Sequence, residues 1–179
     1  RIYINMCKDY DPSFIVNLVE KYLPKNSSIF ELGLGAGIDF KELKKSYNAT
    51  SSDYSQIFID LYKENFPQDK VLFLDAKNFK LNEPFDSIFS NKVLIHLSKD
   101  ELKNSIKCQH NNLNKNGIVF HTFWRGEGKE IIENTKFVYY EISSLKYLFY
   151  IKEINYYTEC EENDSIYLVA QKIQLYHKS

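Results

Sequence analysis

Apolar positions along the chain switch between helical and strand-like spacing in a regular order. "DPSFIVNLVEKYL" sets Phe14, Ile15, Leu18, Val19 and Tyr22 on one helical face, behind Asp11 as a cap and Pro12 at the first helical position. "SSIFEL" then reads as a buried strand, "DFKELKKSY" as a helix, "ATSSD" as a short strand and "QIFIDLYKENF" as another helix. "KVLFLD" and "FDSIFSN" continue as strands three and four. In "SKDEL" Ser98 and Glu101 have the spacing of a capping box, which opens a helix reaching about Leu113. "NGIVFHTFW" follows as a strand entered through Asn116 and Gly117. This strand–helix alternation implies a parallel sheet covered on both faces. The tail breaks the rhythm: "YIKEINYYTECEENDSIYLVAQKI" is two strand-like runs around the polar turn "EENDS", hence an antiparallel hairpin. The expected fold is α/β: a doubly wound, mostly parallel seven-stranded sheet with helices on both faces and a C-terminal antiparallel hairpin. Without repeats or a Pro/Gly/Ser-rich linker, residues 1–179 read as one domain.

Composition narrows the class. With 179 residues, 44% apolar and 26% charged, the chain suits a globular domain with a sizeable core. A net charge of −1 gives no general attraction to nucleic acid or to an anionic membrane. Cys7, Cys108 and Cys160 are scattered and odd in number, giving neither a disulfide framework nor metal-ligand spacing, so a reducing, cytoplasmic setting is expected. No run has the length of a membrane span and no signal-peptide pattern opens the chain. Because the first residue is Arg1 and not Met, there is room for residues upstream.

The chemistry concentrates in "IFELGLGAGIDF", where Gly33, Gly35 and Gly37 follow a strand that ends near Glu31. In a doubly wound sheet, ligands sit beyond the carboxyl ends of the strands, and the turn after the first strand lets backbone approach closely. A dinucleotide fingerprint would place a glycine at position 38, which is Ile38. Glu31 would also repel a pyrophosphate and suits a cationic ligand better. Asp53 ends the second strand 20 residues after Gly33, the separation at which an acid meets ribose hydroxyls. Asp75 ends the third strand and Asn91 the fourth, so acids and an amide stand at successive carboxyl ends.

With these motifs in order, the sequence resembles the class I S-adenosylmethionine-dependent methyltransferases over nearly its whole length. "FELGLGAGID", "SSDYS", "LDAKNF", "FDSIFSNKVLIHL" and "LNKNGIVFHTFW" correspond to the family's successive strand motifs. The resemblance implies S-adenosylmethionine as cofactor and S-adenosylhomocysteine as product. It puts Glu31 and the backbone of Gly33, Leu34, Gly35 and Gly37 near the methionine moiety, and Asp53 on the ribose. It also puts Asp75 and the Ala76 amide at the adenine, Tyr54 against adenine or ribose, and Asn91 near the cofactor's amino-acid end. The cofactor's positive charges account for an acid in the first motif. Two departures stand out: that acid is Glu where Asp is commoner, and little precedes the first helix, where the family often keeps aromatic residues over the cofactor. Tyr3 and Tyr10 are the aromatic residues available there.

Methyl transfer is an in-line displacement on an activated carbon, so alignment and exclusion of water can carry most of the rate. "SNKV" lacks the Asn/Asp-Pro-Pro-aromatic motif of base amino methylation, and no cysteine follows a proline as in base-carbon methylation. Asp86 stands alone where catechol chemistry would need clustered acids for a metal. A small-molecule acceptor is therefore expected, with no metal, no nucleic acid and no membrane partner. A non-catalytic S-adenosylmethionine-binding regulator is the alternative, and a nicotinamide oxidoreductase the third reading. If a general base acts, it is expected to be His96, between the end of strand four and the Ser98 cap. His121, within the fifth strand, reads as a buried, hydrogen-bonded core residue.

Overall fold

The structure, a computed structural model, describes residues 9–172, so Tyr3 and Cys7 lie outside the described residues. Seven strands belong to one mostly parallel sheet in the order β3-β2-β1-β4-β5-β9-β8, and two more form a separate antiparallel pair. The chain divides into two compact units, Arg1–Ala76 and Lys77–Ser179, each described by itself.

The first unit contains α1 (Ser13–Tyr22), β1 (Ser28–Leu32), α2 (Ile38–Leu43), β2 (Asn48–Asp53), α3 (Gln56–Lys63) and β3 (Val71–Phe73). β2 pairs in parallel with β1 on one side and with β3 on the other, with Asp53 opposite Phe73. Leu34, Phe40, Ile59, Tyr62 and Val71 pack as an apolar cluster. α1 presents a narrower face than its spacing suggests: Ile15 and Val19 are buried, whereas Phe14 remains exposed. Pro12, not Asp11, takes the N-cap position. Asp11 instead accepts the Ser13 N–H at 2.9 Å, a local turn that competes with a true cap. β3 stops at Phe73, so Asp75 lies on the loop beyond the strand and not at its end.

The second unit contains β4 (Phe85–Asn91), a 3-10 turn (Leu94–His96), α4 (Lys99–Asn111), β5 (Leu113–Trp124), β6 (Lys129–Ile132), β7 (Thr135–Val138), α5 (Ile142–Lys146), β8 (Ile151–Tyr157) and β9 (Ser165–Gln171). β4 and β5 are parallel, and the tail is the expected hairpin, with β9 antiparallel to both β5 and β8. The capping box forms as its spacing implies: Ser98 N–H donates to Glu101 Oε2 at 2.6 Å, and Glu101 N–H to Ser98 Oγ at 3.3 Å. The β6–β7 hairpin has no counterpart in the strand–helix rhythm. Its turn residues Glu133 and Asn134 both have positive φ, 48° and 65°, the conformation of a tight two-residue hairpin turn.

Candidate functional site

In the first unit the sheet ladder runs past the end of β1 before the chain turns. Gly33 and Leu34 N–H both donate to Ser52 O, at 2.9 and 2.8 Å, and Gly37 N–H closes the turn onto Leu34 O at 2.8 Å. Gly33, Gly35 and Gly37 all have left-handed φ, which an L side chain resists. At Gly37 packing adds a second requirement, because a Cβ would meet the Tyr62 ring at 2.5 Å. The Leu34 side chain is buried in the apolar cluster, so only its main chain is left for a ligand.

Glu31 is 3% exposed, and its carboxylate accepts a short hydrogen bond from Ser51 Oγ. Burial raises its pKa well above the ordinary carboxylate range, and the nearby charges of Asp39 and Asp53 raise it further, against the single hydroxyl that lowers it. A buried carboxyl among acids suits a cation far better than an anion.

Asp53, at the end of β2, shapes the glycine turn directly. Its Oδ2 accepts the Gly35 N–H at 3.0 Å and its Oδ1 the Ser55 N–H at 2.8 Å. Each oxygen keeps acceptor capacity for a hydroxyl. Tyr54 is largely exposed, and its ring lies 5.5 Å from that of Phe73, also exposed. Phe73 is a site candidate that the sequence motifs missed, since a strand-end aromatic reads as packing. Asp75 and Ala76 follow it, half-buried. Tyr10 donates through its hydroxyl to Asp39 Oδ1 at 2.9 Å, which ties the segment before α1 to the residue two beyond Gly37.

In the second unit, Asn91 ends β4, and its Oδ1 accepts a short hydrogen bond from Thr122 Oγ1. His96 ends the 3-10 turn. Its Nδ1 lies 2.9 Å from the Lys136 carbonyl, and its ring meets Phe137 edge-on at 4.9 Å. A carbonyl can only accept, so Nδ1 carries the hydrogen and the neutral ring keeps its lone pair on Nε2. His121 is the buried core residue the sequence suggests, with Ser90 Oγ at 2.7 Å from Nδ1 and Gln109 Oε1 at 2.7 Å from Nε2. Burial pushes its pKa down to about 3. Among the described residues, no group of three His, Cys, Asp or Glu side chains could hold a metal ion, and no helix is long and apolar enough to cross a membrane.

Residues 29–117 match a family model described as a methyltransferase domain. A search of curated proteins finds no match. Among solved structures, an S-adenosylmethionine-dependent methyltransferase from Clostridium acetobutylicum superposes with a TM-score of 0.77 at 15% identity, covering 95% of this chain and 96% of that one. The 1,6-didemethyltoxoflavin-N1-methyltransferase of Burkholderia thailandensis gives 0.81 at 12% identity, covering 94% and 81%. The N-methyltransferase NodS of Bradyrhizobium japonicum, in complex with S-adenosylhomocysteine, gives 0.70 at 14% identity, covering 94% and 91%.

Proposed function

Because residues 29–117 place this chain in the methyltransferase-domain family, an S-adenosylmethionine-dependent enzyme class, we propose that it methylates a small-molecule acceptor and that the side chains above divide the work. The observation that carries this reading is Glu31: a buried carboxyl beside a glycine turn, pressed by two other acids, fits the cationic amino-acid end of the cofactor. The same donor set argues against a pyrophosphate, and so against a nicotinamide oxidoreductase.

When bound, S-adenosylmethionine supplies a methyl group on a sulfonium, and the displaced bonding pair ends on sulfur. Glu31 and the main chain of Gly33, Leu34, Gly35 and Gly37 hold the methionine moiety. Asp53 takes the ribose hydroxyls, while Asp75 and the Ala76 amide take the adenine, with Tyr54 and Phe73 offering aromatic faces. The resemblance assigns Asn91 to the cofactor's amino-acid end. His96 accepts the acceptor's proton at Nε2, which the Lys136 carbonyl leaves unprotonated in the neutral ring. The N1- and N-methyltransferases among the structural neighbours make an amine the first acceptor class to try. Scattered cysteines, with Cys108 and Cys160 both free thiols, fit a reducing cytoplasmic setting.

Thermal melts with S-adenosylhomocysteine and with NADH test the reading. At a hundredfold excess over Kd, ligand linkage adds about 2.7 kcal/mol, a rise of roughly 5–11 °C. A rise with S-adenosylhomocysteine alone is expected. A cooperative melt that moves only with NADH would replace this reading with the oxidoreductase one.

A further inference from the structure

Immediately after β4 the chain does something costly. Lys92 has a φ of 55°, the left-handed region that non-glycine residues rarely adopt, and its side chain is only 12% exposed. Such backbone strain persists only where surrounding contacts enforce it. Here they do so from three places. Lys92 N–H donates to Thr122 Oγ1 at 2.9 Å, and the same hydroxyl donates to Asn91 Oδ1. The ammonium sits 2.6 Å from Glu159 Oε2 and donates to Ser165 Oγ at 2.7 Å. It also lies 3.4 Å from the centroid of the Trp124 ring, with Tyr157 at 5.5 Å.

These contacts gather the ends of β4 and β5 and the start of β9 at one lysine. The chain that leaves it is short: Leu94 and Ile95 are buried, and His96 is then fixed to the Lys136 carbonyl. Lys136 Nζ in turn reaches Glu101 Oε2, the carboxylate of the capping box, at 3.1 Å. The segment from Lys92 to Ser98 is thus anchored at both ends, and Lys92 sets its direction at the start.

We propose that Lys92 is a positioning residue, whose left-handed turn and caged ammonium aim the segment that carries His96. This rests on the reading of His96 as an acceptor-facing base. A merely structural ion pair would stabilise the unit but leave the His96 ring where it is. In Lys92→Gly the left-handed turn becomes easy while the caged ammonium is lost.

Histidine-ring NMR separates the two roles without needing an acceptor. The parent should show a His96 Cε1–H signal displaced by the edge-on Phe137 ring. In Lys92→Gly that signal should move to the position of an exposed histidine, with His121 unchanged, and Lys92→Arg should restore it. An unchanged His96 signal and titration in Lys92→Gly, with only the melting temperature lowered, would overturn the proposal. Should Lys92→Gly not fold, Glu159→Gln takes its place: it must shift the His96 signal in the same direction, and no shift would equally overturn the idea. S-adenosylhomocysteine binding by the parent is scored separately, so a failure of the methyltransferase reading is not mistaken for a failure of the positioning role.

Discussion

The two units bury charge in opposite ways. In the second, Lys92 is buried with a carboxylate, a hydroxyl and two aromatic faces around it, which offset much of the burial that still lowers its pKa. In the first, Glu31 is buried with one hydroxyl for it and two acids against it. The first arrangement is a finished joint that holds secondary structure in place. The second is a socket that, in the function proposed above, takes the cationic end of the cofactor.

Breaking the joint should cost the most. Glu159→Gln leaves a buried ammonium without its counter-charge. Loss of one partner from a buried pair costs about 3–5 kcal/mol, and the low end applies because Glu159 is a quarter exposed. A melting temperature lower by roughly 6–12 °C is expected, read by calorimetry; a drop of under 2 °C would show that the pair is not matched as described.

The socket should respond the other way. Glu31→Gln removes a carboxylate bond to a bound cation, worth about 1.5–3 kcal/mol, so S-adenosylhomocysteine affinity should fall about 10- to 150-fold. Stability should hold or rise, since the like charges no longer face one another. The pH dependence has a definite sign. A carboxyl whose folded pKa is raised contributes stability below its unfolded value, near 4.5, and loses it as pH climbs toward the folded value. The advantage of Glu31→Gln over the parent should therefore grow with pH above 4.5; a constant offset would show that Glu31 is not desolvated as described.

These two regions also differ in how far the sequence revealed them. The socket is encoded locally: an acid, three glycines and an acid 20 residues after Gly33 lie in adjacent βα turns, so their spacing survives in the linear order. The joint is not. Lys92 and Glu159 are 67 residues apart, and a lone Lys after a strand carries no pattern. The β6–β7 hairpin was hidden for a related reason: its strands are four residues long and mostly exposed, so alternation is weak, and only Glu133 and Asn134 mark the turn. Asp75 misled slightly because "KVLFLD" reads as one strand through its acid, whereas β3 stops at Phe73 and Leu74 N–H makes one more bond, to Asp53 O at 3.0 Å, before Asp75. His121 was legible because a histidine inside an apolar strand needs polar partners, and Ser90 and Gln109 supply them.

His121 gives the most specific contrast. Its pKa of about 3 means that it is buried neutral, so its stability contribution is intact above the unfolded value near 6.5 and is lost as pH falls toward 3. Within that window the parent should lose about 1.4 kcal/mol per pH unit from this group. Urea midpoints of the parent and His121→Gln should converge as pH drops; parallel curves would mean that the ring is not held neutral.

The central claim, that the Glu31 socket receives the cationic end of the cofactor, is tested most directly by calorimetric titration of S-adenosylhomocysteine in two buffers of different ionisation enthalpy, at mildly acidic pH. Glu31 must give up its raised-pKa proton to pair with the ligand's ammonium, so binding should be measurable and its heat should depend on the buffer, with protons released. No binding at millimolar ligand, in protein that melts cooperatively, would contradict the account.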